Sequence, residues 1–180
     1  MSVNLLMLLA DGVEECEALV TRDVLLRGGI NVTMKSIMGR EVVISQDNLL
    51  VKCDTEEVDL EGFDGVILPG GGRGTQNLDK YEKMNDILAY FSKNHLLLAA
   101  ICAAPMVLGH RSLLVNKRFT CFKGCEVGLN GIYTGKEVER DGNIITARSM
   151  YFAADFALEI IKYFLGENKA LQVANSVKSI

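Results

Sequence analysis

The sequence predicts an α/β sandwich built on a mostly parallel sheet. Short apolar runs alternate with longer segments of helical periodicity along the whole chain. The run Leu96-Leu97-Leu98-Ala99-Ala100-Ile101 is apolar throughout, as a central strand buried on both faces must be. Several runs end in a sharp break, at Asp11-Gly12, at Pro69-Gly70-Gly71-Gly72 and at Cys102. In parallel sheets ligands gather beyond the carboxyl ends of the strands, so these three breaks are expected to meet at one edge.

Residues 3–9 read as the first strand. Residues 14–27 read as a helix, with Cys16, Leu19, Val20, Val24 and Leu25 at helical spacing and a stop at Gly28-Gly29. Residues 31–37 form a second strand, and Met38-Gly39-Arg40 turns the chain. Residues 42–44 and 49–51 suit a hairpin or edge strands. Residues 65–68 form another buried strand, which ends in the glycine turn. Residues 81–93 read as a helix, 96–101 as the central strand, and the segment from Ala103 as a helix with Pro105 in its first turn. Residues 119–121 and 131–134 read as short strands. Residues 138–140 and 144–147 read as a hairpin through Asp141-Gly142. Residues 151–165 form a strongly amphipathic helix and 167–177 a shorter one.

At 180 residues the chain suits one domain, residues 1–180, with a substantial core. A net charge of −4 and a pI near 5.3 give no electrostatic footprint for nucleic acid. The apolar start is too short to span a membrane and lacks the basic residues of a signal peptide. The five cysteines are odd in number and scattered, which argues against a disulfide framework and for a reducing, cytoplasmic setting. Cys121 and Cys125 lie four apart, but no second pair or nearby histidine completes a zinc site. Neither a metal nor a cofactor is expected.

Cys102 carries the chemistry. It sits where a buried strand turns sharply into a helix, the geometry of a nucleophile elbow with cysteine in place of serine. A helix N-terminus is expected to stabilise its thiolate. A buried free cysteine is also an ordinary core residue, so the position alone weighs both ways. The glycines at 70–72 let the backbone approach a ligand closely, and their amides with that of Ala103 suit an oxyanion hole. Glu14, Glu15 and Glu17 complement the dipole of the first helix. Glu17 also lies near the buried stripe, where desolvation would raise its pKa and suit it to carry protons beside a thiol.

Three motifs in order carry a resemblance. The segments Leu9-Ala10-Asp11-Gly12-Val13-Glu14-Glu15-Cys16-Glu17, Leu68-Pro69-Gly70-Gly71 and Ala100-Ile101-Cys102-Ala103-Ala104-Pro105 are similar to the ThiJ/PfpI superfamily, and closest to its DJ-one branch. The likeness covers essentially the whole chain. It includes Gly74-Thr75-Gln76-Asn77-Leu78, the Asp141-Gly142 hairpin and Thr146-Ala147-Arg148. The resemblance implies a flavodoxin-like three-layer sandwich. It implies Cys102 as a strained elbow nucleophile, Glu17 as the buried acid bonded to its sulfur, and Gly70, Gly71 and Ala103 as backbone donors. It implies a homodimer with the first helix, including Asp23 and Arg27, near the interface. It also implies Arg148 as an anion contact beside the pocket. The chain departs from the pattern where many relatives carry a histidine, since Phe122 stands there. His95 precedes the cysteine strand, and His110 lies about 12 Å along the helix that follows. A Cys–His dyad for amide hydrolysis is therefore disfavoured. Gln46 stands where an interface arginine is expected.

Two functions use these residues. The first is a glyoxalase- or deglycase-type enzyme acting on a small aldehyde or dicarbonyl through Cys102 and Glu17, without cofactor or metal. The second is an oxidative-stress sensor or chaperone in which Cys102 is oxidised and turns over no carbonyl. A protease or amidase has less support for want of a Cys–His dyad, and a role with thiazole monophosphate because the sequence holds no phosphate loop.

Overall fold

The computed structural model describes residues 2–57 and 59–179. In chain order the elements are β1 (Asn4–Leu9), α1 (Glu15–Gly28), β2 (Asn31–Ser36), β3 (Val42–Ile44), β4 (Leu50–Lys52), β5 (Gly65–Leu68), α2 (Gly72–Lys80) and α3 (Met84–Lys93). There follow β6 (Leu97–Ile101), α4 (Pro105–Gly109), β7 (Arg118–Phe119), β8 (Ile132–Tyr133), β9 (Val138–Asp141) and β10 (Ile144–Ala147). A 3-10 turn at Met150–Phe152 leads into α5 (Ala153–Leu165) and α6 (Glu167–Lys178).

One sheet organises the molecule, in the order β2-β1-β5-β6-β10-β9. Its first five strands run parallel, and only β9, at the edge, is antiparallel to its neighbour. The strands leave alternate side chains on opposite faces. Along β1, Leu5, Met7 and Leu9 join the core under α1, α5 and α6, while Leu6 and Leu8 join the core under α3 and α4. Both faces are covered, so β1, β5 and β6 are apolar at nearly every position. Burying each such leucine contributes about 2 kcal/mol. Two small ladders stand outside the sheet, the β3–β4 hairpin and the parallel pair β7–β8.

Several sequence expectations need correcting. In α1 the buried residues are Glu15, Glu17, Ala18, Thr21, Val24, Leu25 and Gly28, whereas Cys16, Leu19 and Val20 face outward. The helix carries two apolar stripes, and the one holding the small and polar residues packs on α5, where Thr21 Oγ1 donates to the Ala153 carbonyl. α2 occupies the stretch after the glycine turn, where the sequence reading assigns no element. Its sequence is polar, and only Gly74, Thr75 and Leu78 are buried. Tertiary hydrogen bonds hold it instead, from the Gly74 N–H to the Gly12 carbonyl (3.0 Å) and from Asn77 Nδ2 to the Asp11 carbonyl (2.8 Å). The β9–β10 turn is Gly142-Asn143, because Asp141 pairs with Ile144. α4 is only five residues long and begins at Pro105, so His110 caps it rather than riding along it. Among the described residues no helix is long and apolar enough to cross a membrane.

Candidate active site

The carboxyl ends of β1, β5 and β6 face the same edge, and the segments after them converge there. After β6 the chain breaks at Cys102, with φ +63°. Such a backbone costs about 1–2 kcal/mol for a residue with a Cβ. Main-chain bonds on both sides hold it in place. The Cys102 N–H donates to the Ala147 carbonyl at the end of β10 (2.9 Å), and the Cys102 carbonyl accepts from the Phe122 N–H (2.7 Å).

After β5 come Gly70 and Gly71, and both positions require glycine. A Cβ on Gly70 would lie 2.6 Å from Glu17 Oε2 and 2.8 Å from the Cys102 Cβ. Gly71 has φ +88°, and a Cβ there would lie 2.3 Å from the Gly12 carbonyl oxygen. These close approaches bring the carboxyl of α1 against the thiol of the elbow. Glu17 is 99% buried (1% exposed), and its Oε2 accepts from the Gly70 N–H at 2.7 Å. The Gly70 amide is thus engaged by Glu17 and is not an oxyanion donor. The amides of Gly71 and Ala103 bear on the Cys102 sulfur.

Burial raises the Glu17 carboxyl to about 7, against the opposing pull of the Cys102 thiol and the Gly70 N–H. Burial also pushes the Cys102 thiol well up, and the Glu17 carboxylate adds to the rise, while the amides of Ala103 and Gly71 oppose it. The expectation of a thiol lowered by a helix N-terminus is overturned. α4 is too short to carry much of a dipole, and burial beside a carboxylate outweighs two amides. Losing both protons would leave two negative charges in a buried site, so Glu17 and Cys102 titrate as a pair, which passes from two protons to one near neutrality and keeps the last proton well above it. Glu17 Oε1 makes no hydrogen bond of ordinary geometry, yet the carboxyl and thiol are near enough for each to shift the other.

The pair opens into a cavity of about 470 Å³. Its inner wall is Glu17, Gly71, Cys102 and Ala103; its rim includes Glu14, Gln46, Phe122, Cys125 and Tyr151. A larger, more open groove of about 610 Å³ lies between β9, α5 and α6, but only charged and aliphatic side chains line it, with no thiol among them. No group of three or more His, Cys, Asp or Glu side chains placed to hold a metal occurs among the described residues.

Other expected site residues lie elsewhere. Arg148 does not line the cavity. Its Nη1 donates to the Gly135 carbonyl at 3.2 Å, and its guanidinium lies 4.8 Å over the Phe152 ring. Asp23 and Arg27 pair with each other (2.7 Å) on the exposed face of α1. His110 Nδ1 lies 2.9 Å from Asp79 Oδ2, and neither histidine lines the cavity.

Two contributors escape a reading of the sequence. Glu14 is explained by the helix dipole alone, yet it lines the cavity and its Oε2 accepts from Gln46 Nε2 at 2.8 Å. Asp11 anchors the loop that brings Gln46 there. Its carboxylate accepts from Arg40 Nη2 (2.8 and 2.7 Å) and from the Ile44 N–H (2.9 Å). The one available signal is an aspartate directly between a buried strand and a glycine.

Comparison with known proteins places this geometry. The chain is 35% identical to the protein dj-1beta of Drosophila melanogaster over 182 residues, covering 98% of this chain and 97% of that protein. It is 33% identical to the Parkinson disease protein 7 homolog of Danio rerio, covering 93% of each. The crystal structure of Drosophila melanogaster DJ-1beta superposes with a TM-score of 0.89 at 34% identity, over 98% of both chains. A Toxoplasma gondii DJ-1 structure, described as oxidized, superposes with a TM-score of 0.92 at 26% identity, again over 98% of both. The sheet with helices on both faces is thus the flavodoxin-like arrangement of these structures. The DJ-1/PfpI family model matches residues 3–163. With that model covering most of its length, this chain belongs to the DJ-1/PfpI family.

Proposed function

We propose that the chain is a cofactor-independent enzyme of glyoxalase or deglycase type, acting on methylglyoxal, glyoxal or their early glycation adducts. One observation carries the reading. A thiol on a positive-φ elbow and a buried carboxyl with a pKa of about 7 face the same cavity. Groups that hand a proton back and forth work best with a pKa near the working pH.

With methylglyoxal, the Cys102 sulfur attacks the aldehyde carbon to form a hemithioacetal, and the thiol proton passes to Glu17. The amides of Gly71 and Ala103 stabilise the oxyanion that forms. Glu17 delivers a proton to that oxygen, then removes the hydrogen of C1 and passes it to the C2 oxygen to form an enediol; the C1 hydroxyl then gives up its proton as Glu17 protonates C2. The product is a lactoyl thioester on Cys102. Water hydrolyses it to lactate and restores the thiol.

The test is methylglyoxal conversion followed by NMR. Lactate is expected from the wild type, with a loss of at least about 100-fold in Cys102→Ala and in Glu17→Gln. Full activity in Cys102→Ala ends the proposal.

A second reading is an oxidative-stress sensor or chaperone. It is supported by the Toxoplasma gondii relative described as oxidized and by the partial exposure of Cys102 within its cavity. It predicts peroxide-sensitive Cys102 and no lactate. The amidase and thiazole monophosphate readings lose support, because no histidine, lysine or arginine lines the cavity among the described residues. The proposal also takes the chain as a cytoplasmic homodimer joined through the outward face of α1, where Leu19, Val20 and Leu26 are exposed.

A further inference from the structure

Two thiols face one cavity. Cys102 and Cys125 both line the space in front of the elbow, and both are half-buried. Cys53 and Cys121 are fully buried, and Cys16 lies outside that cavity. Main-chain bonds relay the placement of Cys125 from the elbow itself. The Cys102 carbonyl accepts from the Phe122 N–H (2.7 Å), and the Phe122 carbonyl accepts from the Cys125 N–H (2.9 Å). Cys125 packs with the core under α3 and α4, on the side of the sheet away from α1 and its expected dimer face.

The segment that carries Cys125 is lightly held. Residues 122–130 form turns without helix or strand, with Gly124 (φ +98°) and Gly128 (φ +84°) in left-handed conformations. Among the described residues, its one main-chain hydrogen bond to the rest of the chain is that from Phe122 to Cys102. The two thiols are also differently equipped. Glu17 stands against Cys102 and can take its proton. Cys125 has no such base. The Oε2 of its neighbour Glu126 already accepts from the Gly124 N–H (2.6 Å), and burial together with that charge keeps the Cys125 thiol protonated. Redox-sensing cysteines pair in this way, one thiol that reacts and a second poised to resolve it.

We propose that Cys125 is a resolving thiol, which captures Cys102 after oxidation by a hydroperoxide as an intramolecular Cys102–Cys125 disulfide. This rests on the oxidisable Cys102 of the second reading above, and adds its partner and a route back. In the first step the Cys102 sulfur attacks the peroxide. An S–O bond forms as the O–O bond breaks, and the thiol proton passes through Glu17 to the departing oxygen, which leaves as water or an alcohol. In the second step the Cys125 sulfur attacks the Cys102 sulfur. The S–S bond forms as the S–O bond breaks, and hydroxide leaves with the Cys125 proton as water. A dithiol reductant restores both thiols. A disulfide brings its two Cα atoms within about 7 Å, so residues 122–130 close over the elbow and the linkage occupies the mouth of the cavity.

The experiment treats the reduced full-length chain with hydrogen peroxide, blocks the remaining thiols and maps the products by mass spectrometry of unreduced peptides. A Cys102–Cys125 linked peptide that dithiothreitol separates is expected. In Cys125→Ser, Cys102 proceeds to the sulfinate, which dithiothreitol does not reverse, in about tenfold greater yield than in the wild type at equal peroxide. Cys121→Ser keeps the linkage. Sulfinate at Cys102 in the wild type with Cys125 still free overturns the proposal and leaves the sensor reading standing. A linkage from Cys102 to Cys121 in place of Cys125 overturns it as well. Cys102 untouched by peroxide overturns both the proposal and the sensor reading. Lactate formation by the reduced chain, measured in parallel, decides the carbonyl enzyme separately.

Discussion

Glu17 lies where a carboxylate is expensive to keep charged, and this has a consequence for stability. Its pKa rises from 4.5 to about 7 on folding. Between those values the folded chain holds more protons at this group than the unfolded one, so the contribution of Glu17 to stability is greatest below pH 4.5 and falls as pH rises through 7. Glu17→Gln keeps the shape and removes the charge. It is expected to be more stable than wild type at pH 8, on the order of 2 kcal/mol, with little difference at pH 4.5. Urea denaturation at the two pH values checks this; equal gains at both would mean that the carboxyl is not desolvated. Gly71→Ala combines a positive φ with a Cβ 2.3 Å from a carbonyl oxygen, and should lose at least about 2 kcal/mol by the same measurement. At this scale the elbow at Cys102 left a local signature, whereas Glu17 was pointed to by the resemblance more than by the helix pattern, since Cys16, Leu19 and Val20 of the expected stripe face outward. Glu14 left no signature. An exposed-looking acid at a helix start has a sufficient local explanation, and only the fold shows what it faces.

The elements divide between those whose sequence pattern matches their burial and those held by a few long-range bonds. β1, β5 and β6 are apolar on both faces and could be read directly. α2 could not, since a polar segment rich in glycine becomes a helix only because Gly12 and Asp11 receive its hydrogen bonds. α1 was legible as a helix, but its buried side was not. Two apolar stripes compete, and the sheet and α5 accept the one with smaller side chains. The β3–β4 hairpin depends on one carboxylate. Burial alone would raise Asp11, but the Ile44 N–H and the Arg40 guanidinium outweigh it and hold the group below its ordinary value. Asp11→Ala breaks the ion pair and leaves the Ile44 N–H without its partner. A loss of about 1–3 kcal/mol is expected in chemical denaturation, together with faster amide hydrogen exchange in β3 and β4. Unchanged exchange there would mean that the hairpin is held by its own packing.

For the whole molecule, the sheet and its two cores account for one face of α1 and leave the other uncovered. Leu19 is 44% exposed and Leu26 41%, seven residues apart and so on one face, with the Asp23–Arg27 pair beside them. If that face joins two copies, Leu19→Lys with Leu26→Lys should convert a dimer to a monomer at micromolar concentration in sedimentation equilibrium. An unchanged mass would place the interface elsewhere. The layer order and parallel sheet followed from alternation along the sequence. Which polar residues meet across the carboxyl edge did not, since Glu14 and Gln46 lie 32 positions apart and meet only through the fold.

The backbone of Cys102 is tied by main-chain groups alone, the Ala147 carbonyl on one side and the Phe122 amide on the other. Phe122, Cys125 and Tyr151 shape the cavity with side chains that take no part in those ties. Nucleophile and pocket are thus separable as design variables. A library randomised at 122, 125 and 151 would vary what reaches the sulfur while leaving its poise constant. Lineages sharing this elbow are free in the same way to diverge in ligand without having to reinvent the reactive centre.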